Sequence, residues 1–481
     1  MSAGLDAARE ALGAGDAWLV GGAVRDRLLG RSCSDHDIAV AGDPERAARA
    51  IADAAGGAVS FALSKEFGSW RVAARDGSWQ LDVDPLRGAT VEQDLGLRDF
   101  TVNAIAEPLG GGAPIDPLGG ADDLRAGRLR AAGPASFVLD PLRVLRLVRI
   151  SCELGLQADR RTLELARGAA AGLAGVSGER IMAELRRVIA SPAPRKGLEL
   201  AGEIGALGVV LPELEQLRGV EQSRFHHADV YGHTLEVLDR TVELTLPGGP
   251  ALSGAQALLA PRRAAIAALL AEPLADELTR GQALRWGALL HDVAKPATRE
   301  VRPGDGRVSF IGHDRAGAEV AREVLERLRA SERLRRHVAA LVRHHLRLGF
   351  LVHEPQPLAP RTVYGYLSGC EPVEVDVTLL SIADRAATRG ENAGPAIAAH
   401  FELAGRMLDD ALRWRAAGPP APLLRGDELA RELSVEVGPA LGRLLEELSE
   451  ARYAGEISTR EQALAWARRR LTDGPPAGPR R

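Results

Sequence analysis

The period of the apolar pattern changes once along the 481-residue chain, and that change restricts the fold more than any other feature. Ala17–Val20, Ile38–Val40, Ser69–Ala74 and Trp79–Asp84 are short apolar or alternating runs separated by glycine and aspartate turns, the signature of strands. Beyond about Phe137 the apolar residues recur at three- and four-residue spacing, as in Leu142, Leu145 and Val148, or Ile181, Leu185 and Val188, which specifies helices. The expected fold is therefore α+β: a head with a mixed sheet and helices, followed by an all-helical body. A chain of this length exceeds one compact core. We expect a head over residues 1–136, a helical neck over 137–220, a middle domain over 221–395, a C-terminal helical piece over 396–472 and a flexible tail over 473–481. The alanine- and arginine-rich stretch between Ala255 and Leu278 carries no motif and reads as an insertion.

Composition excludes some classes. Hydrophobic residues make up 46% and charged residues 26%, which argues against disorder. The N-terminus lacks the uninterrupted apolar stretch of a signal peptide or spanning helix, so no membrane association is expected. Three widely separated cysteines, Cys33, Cys152 and Cys370, fit neither a disulfide framework nor a zinc ribbon and suit a reducing cytoplasm. The net charge of −4 does not exclude a nucleic-acid partner, because phosphate binding depends on where the arginines lie.

The chemistry in the head starts at Gly21 and Gly22. They follow the apolar run Trp18–Val20 and precede a helical pattern holding Arg25 and Asp26. A strand feeding a glycine turn at a helix start offers backbone N–H groups to an anion, with Arg25 one turn in. Next comes Ser34-Asp35-His36-Asp37-Ile38, opening a strand. Residues i and i+2 of a strand share a face, so the carboxylates of Asp35 and Asp37 point the same way and need a cation between them. Mg²⁺, a hard ion that takes carboxylates together with substrate phosphates, is the natural one. A third carboxylate would come from Gln80–Asp84; Asp82 is our choice, with Asp84 the alternative.

Farther on, Asp140, Arg143, Arg146 and Arg149 repeat at three-residue spacing along one side of a helix. An exposed salt-bridged face is one reading. Another is base recognition, because a guanidinium donates in a rigid fork while a carboxylate accepts from an exocyclic amino group. Cytosine and adenine offer that group; uracil and guanine do not offer it at the same edge.

These segments together resemble the bacterial-type (class II) tRNA nucleotidyltransferases and their poly(A) polymerase relatives. Gly21-Gly22-Ala23-Val24-Arg25-Asp26, Leu28-Leu29-Gly30 and Asp35-x-Asp37 look like the first motif of that family. Asp94-Leu95-Gly96-Leu97-Arg98-Asp99-Phe100-Thr101-Val102-Asn103 is similar to the motif that binds nucleotide phosphate and sugar, which implies roles for Arg98, Asp99 and Asn103. Ile115-Asp116-Pro117-Leu118-Gly119-Gly120 resembles the element closing the head, and Asp140-Pro141-Leu142-Arg143 the protein template for the incoming base. Leu97 stands where the family often has a second arginine, and Leu139 where it often has an acid. The resemblance implies a polymerase-β-like head that adds C, C and A to the 3′ end and acceptor arm of tRNA from CTP and ATP, with Asp35, Asp37 and Asp82 holding Mg²⁺ for a two-metal transfer. Gly21, Gly22, Arg25, Arg143, Arg146 and Arg149 would serve the nucleotide. Enzymes adding only CC or only A, and poly(A) polymerases, share these motifs.

A second resemblance lies in the middle. His233, His291-Asp292 and Asp384 match the ligand order of the HD superfamily of metal phosphohydrolases, which implies a divalent transition metal; His313 and His344 are candidates for a second one. Hydrolysis of phosphomonoesters or cyclic phosphates would follow. Loss of Asp35 or Asp37 would support the alternatives, a hydrolase whose head merely binds nucleotide or an RNA-binding regulator; both residues are present, which disfavours them. The glycines of the C-terminal piece read as helix caps, and Arg143–Arg161, Arg180–Arg187 and Arg468–Arg470 as basic patches for RNA.

Overall fold

The computed structural model describes residues 3–31, 33, 35–64, 68–222, 228–246, 252, 254–304, 306–388 and 393–473. The chain divides into two compact units, Met1–Pro212 and Glu213–Arg481, so the expected neck falls with the head and the C-terminal piece with the middle domain.

The first unit begins with α1 (Ala3–Leu12), β1 (Ala17–Val20), α2 (Gly22–Leu28), β2 (Asp35–Val40), α3 (Pro44–Ala54), β3 (Val59–Ser64), β4 (Ser69–Ala73), β5 (Gln80–Pro85), α4 (Val91–Gly96) and β6 (Ala106–Pro108). The six strands form one sheet in the order β3-β4-β5-β2-β1-β6. Only β2 and β5 run parallel; every other pairing is antiparallel. Alternation gives each strand two unlike faces. Ile38, Leu81 and Val83 are buried with Ile51 of α3 and Leu5 of α1, while Asp37, Asp82 and Asp84 fall on the other face.

The pairing of β2 with β5 sets Asp37 beside Asp82. Strand β3 was not expected, although Val59, Phe61 and Leu63 alternate with Ser60, Ala62 and Ser64; the three apolar side chains are exposed. Then follow α5 (Gly120–Arg125), α6 (Ser136–Leu139), α7 (Arg143–Leu154), α8 (Arg160–Ala169), α9 (Gly178–Ala190) and α10 (Pro194–Glu203). The apolar stripes read from the sequence meet here: Leu145 and Val148 of α7 are buried, as are Leu185 and Val188 of α9.

Two glycines carry the geometry of the head. Gly21 has φ +73°, and a Cβ there would lie 3.1 Å from Arg98 Nη1 and 3.3 Å from Asp37 Oδ2. A side chain would be strained and would press on the groups that face the cleft. Gly120, which opens α5, sits so close to the Thr101 carbonyl that a Cβ would fall 2.0 Å from its oxygen. Asp116 caps the same helix, accepting from the backbone N–H groups of Gly120 at 2.7 Å and Ala121 at 2.9 Å.

The second unit is helical apart from short hairpins, with principal helices at Val230–Thr245, Arg280–Leu290, His313–Arg327, Glu332–His344, Glu374–Ala387 and Ala393–Ala417. The stretch read as an insertion belongs to this core, since Leu259, Ile266, Leu269 and Leu270 are buried in the same cluster as Leu284, Leu341 and Leu380. Helices Gly426–Leu433, Pro439–Tyr453 and Arg460–Asp473 close over a small core of their own around Leu429, Leu448 and Ile457. Two of the glycines there cap: Gly438 is the N-cap of its helix, and Gly455, with φ +75°, follows the end of the same helix, whereas Gly426 is the first residue of its helix behind the N-cap Arg425 and Gly442 lies within one. Among the described residues no helix is long and apolar enough to cross a membrane. Most of the proposed tail lies outside the described residues.

Candidate functional site

The head holds a cleft of about 280 Å³ where the glycine turn, β2, β5, the segment after α4, and α7 converge. Gly21, Gly22, Arg25, Arg98, Asp99, Asn103, Arg143, Arg146 and Arg149 all line it, so every residue expected to serve the nucleotide except Asp140 is gathered there. Asp37 lines it too; the side chain of Asp35 lies outside the described residues. Burial pushes the Asp37 carboxyl up to about 6, against the lowering pull of Arg98, and Asp84 and Asp82 push it further in the same direction. A half-buried carboxylate facing others of its kind is the donor set a hard divalent cation fits.

Several arginines of the cleft are held by carboxylates. Arg25 donates to Asn103 Oδ1 at 2.7 Å and to Asp26 Oδ1 at 2.8 Å, so a glycine turn is backed by a fixed guanidinium. Arg98 forks onto Asp94 at 2.9 and 3.0 Å. Asp99 accepts from Asn103 at 3.0 Å and from the Phe100 N–H at 2.8 Å, and pairs with Arg146 at 3.0 Å. Burial works to raise the Asp99 carboxyl, but Arg146 and these donors outweigh it and hold it below the usual range.

Three expectations meet a different geometry. Arg149 bridges Glu184 at 2.6 Å and Glu153 at 3.0 Å and ties α7 to α9, which is a packing role. Arg143 is buried and spends its donors on the carbonyls of Leu97 at 2.9 Å, and of Arg98 and Ser136 at 3.1 Å each. Asp82 receives a two-pronged bond from Arg71 at 2.7 and 2.8 Å, whereas Asp84, which accepts from Ser69, stands on the cleft wall. Arg71 and Ser69 lie on β4, a strand that the sequence showed without indicating what its polar positions would meet.

The second unit brings His233, His291, Asp292, His313 and Asp384 together in one cluster, buried but for the half-exposed Asp384. Asp292 sits at the centre: Oδ2 is 3.1 Å from His291 Nε2 and 3.9 Å from His233 Nε2, while Oδ1 is 3.3 Å from His313 Nε2 and 3.8 Å from His345 Nε2. Asp384 Oδ1 lies 3.0 Å from His233 Nε2, and Lys295 Nζ 2.6 Å from Asp292. His345, not His344, is the fourth histidine. The buried positions Leu334, Val338, Leu341 and Val342 continue to 345 at helical spacing, so the phase of the stripe was the signal that separates the doublet.

Three rings are fixed alike. The Nδ1 of His291, His313 and His345 each faces the carbonyl three residues back, Ala288 at 2.8 Å, Phe310 at 2.6 Å and Val342 at 2.7 Å. A carbonyl only accepts, so each Nδ1 carries its proton and each Nε2 turns inward. His313 Nε2 and His345 Nε2 then face each other at 3.3 Å, and burial pushes the His345 ring down to about 4. Two inward lone pairs beside a carboxylate are what a transition metal satisfies. Two ligand triads meet at Asp292: His233, His291 and Asp292, and Asp292, His313 and His345.

Comparison with known proteins finds a domain match in each unit. Residues 17–130 match the poly(A) polymerase head domain, 155–217 the probable RNA- and SrmB-binding site of polymerase A, and 230–389 the HD domain. An A-adding tRNA nucleotidyltransferase of Deinococcus radiodurans is 37% identical over 95% of this chain and 96% of its own. A CC-adding tRNA nucleotidyltransferase of Thermus thermophilus is 36% identical over 94% and 93%. Among solved structures, an apo CCA-adding enzyme shares the fold with a TM-score of 0.61 at 19% identity, covering 95% of this chain and 90% of that one. Fold and site thus define a nucleotidyltransferase head on a helical body that includes an HD domain. The chain belongs to the tRNA nucleotidyltransferase family.

Proposed function

We propose that the protein adds C, C and A in turn to tRNA 3′ ends, drawing on CTP and ATP and on Mg²⁺ held by Asp35, Asp37 and a β5 carboxylate. The observation that carries this reading is the cleft itself, where Asp37, a glycine turn at a helix start and a set of fixed arginines share one concave surface. Bound Mg²⁺ would activate the primer hydroxyl and neutralise the departing pyrophosphate. The chain's own part is to position. The Gly21–Gly22 turn admits the phosphates to the backbone, Arg98 and Arg146 supply positive charge, and the Asp99–Asn103 pair fixes the sugar end. For the third carboxylate, Asp82 has the register beside Asp37 in its favour, and Asp84 its place on the wall. A cytoplasmic setting suits this chemistry.

A partial enzyme is the second reading. It is favoured by the Deinococcus and Thermus relatives, which match nearly end to end and are A-adding and CC-adding, respectively. One assay separates the two. Purified protein is offered tRNAs ending before CCA, after C and after CC, with each labelled triphosphate and Mg²⁺. Ordered C, C and A supports full addition, only CC or only A the partial enzyme, and long A tails would replace both with a poly(A) polymerase. The HD unit, in this proposal, binds a divalent transition metal and hydrolyses phosphomonoesters or cyclic phosphates at RNA ends or on nucleotides.

A further inference from the structure

Of the guanidinium groups that line the cleft, Arg25, Arg98, Arg143, Arg146 and Arg149 are committed to the acceptors described above, and Arg187 bridges Glu153 at 2.8 Å. Arg87 is the exception: among the described residues no carboxylate or carbonyl accepts from its guanidinium. It also lines a second cavity of about 810 Å³ that adjoins the cleft through Asp84 and Arg143. The other arginines of that cavity are spent as well, Arg143 on its carbonyls and Arg180 on Asp140 at 2.9 Å.

The backbone beneath Arg87 is fixed. The Leu86 N–H extends the pairing of β5 with β2 to the Val40 carbonyl at 3.1 Å, and the Arg87 N–H donates to Asp94 Oδ1 at 3.2 Å. Asp94 is buried, and its other oxygen carries the fork from Arg98, so one carboxylate sets the spacing of Arg87 from Arg98. Gly88 packs so closely on α4 that a Cβ there would fall 2.7 Å from the Gln93 Cβ, while Gln93 Oε1 accepts from the Ala89 N–H at 2.9 Å. An exposed guanidinium with no acceptor, carried on a pinned bend in the wall between two cavities, loses little freedom when a ligand arrives.

We propose that Arg87 holds the phosphodiester next to the reacting end of the RNA primer. The inference rests on the nucleotide addition proposed above. A guanidinium donates two parallel bonds to phosphate oxygens, and a phosphodiester brings the one charge that this wall lacks an answer to. The strand order β5-β2-β1 decides which phosphate it is. The glycine turn follows β1 on one side of Asp37, and Arg87 follows β5 on the other. Transfer is in line, with the attacking hydroxyl and the departing pyrophosphate on opposite sides of the α-phosphate. With pyrophosphate at the glycine turn, the primer comes from the β5 side, and the phosphate one sugar behind its 3′-hydroxyl meets Arg87. Arg87 takes no part in bond making; it binds substrate and fixes the direction of attack.

The test combines R87M and R87K with tRNA primers that carry either the natural last phosphodiester or a neutral methylphosphonate in its place. KM for tRNA, KM for CTP and ATP, and kcat are resolved, and thermal midpoints recorded. R87M should raise KM for tRNA about tenfold at an unchanged midpoint, the size of one lost charge-assisted contact. KM for the triphosphates should stay within about twofold, since they meet other residues. R87K, a cation without the fork, should recover part of the loss. The methylphosphonate should weaken wild type by a similar factor and R87M hardly at all, because its partner is already gone. In R87M the fall of tRNA affinity with salt should be shallower by about 0.7 on a double-logarithmic plot, one phosphate contact fewer. A rise in KM for CTP and ATP with that for tRNA unmoved would assign Arg87 to the triphosphate and overturn the proposal, as would a methylphosphonate effect that is the same in wild type and R87M. Wild-type protein that extends neither primer overturns the underlying reading as well, whereas extension with the full methylphosphonate penalty retained in R87M overturns this inference alone.

Discussion

At the scale of single residues the head depends on carboxylates. D37A should lower nucleotide addition on the order of a thousandfold, because it removes a group that acts on charge developing in the transition state. D82N and D84N form the complementary pair: the one that is the third ligand should lose about a hundredfold in kcat/KM, and the other should stay near wild type. Steady-state assays with varied Mg²⁺ separate them. The thiols give an independent check of packing. Burial pushes Cys152 and Cys370 up to about 11, while Cys33 is half-buried. Native protein at pH 8 should therefore show one reactive thiol by disulfide-exchange titration, and three once denaturant is added. The two raised thiols favour the folded state below their ordinary range near 9, and that contribution is lost as the pH climbs toward 11. The residues most legible in the sequence are those whose spacing is itself chemical, such as Asp37, which the Asp35-x-Asp37 pattern picks out and which lines the cleft, and His291-Asp292. Arg71 on Asp82 and Arg180 on Asp140 were hidden, because each partner comes from a different element and nothing local announces it.

At the scale of elements, the motif that closes the head is a packing device. Asp116 caps α5, and Asp123 on the same helix accepts from Thr101 at 2.6 Å and pairs with Arg128 and Arg130 at 2.7 and 2.8 Å. G120A should therefore cost about 1–3 kcal/mol, since the new methyl group meets a backbone carbonyl rather than a flexible side chain. Urea unfolding measures it, and a loss under half a kcal/mol would count against the contact. The helices of this unit were legible because their apolar stripes are regular. Strand β3 was passed over although Val59, Phe61 and Leu63 alternate, and on this edge strand those three side chains meet solvent rather than a core.

At the scale of the whole molecule, the nucleotide cleft and the histidine cluster lie in different units. Replacing His291 and Asp292 together should abolish any phosphatase activity and leave nucleotide addition within about twofold, because sites that share no partners act independently. A parallel loss of both activities would contradict that separation. The division into two units was less readable than the elements, because the junction near Pro212 carries no change of composition. The three imidazoles anchored to backbone carbonyls three residues back have a last consequence. Their orientation is set by folding alone, so the socket exists before any ion arrives and cannot swivel to suit an ill-fitting one. A chelator should thus empty the socket without melting the helices around it.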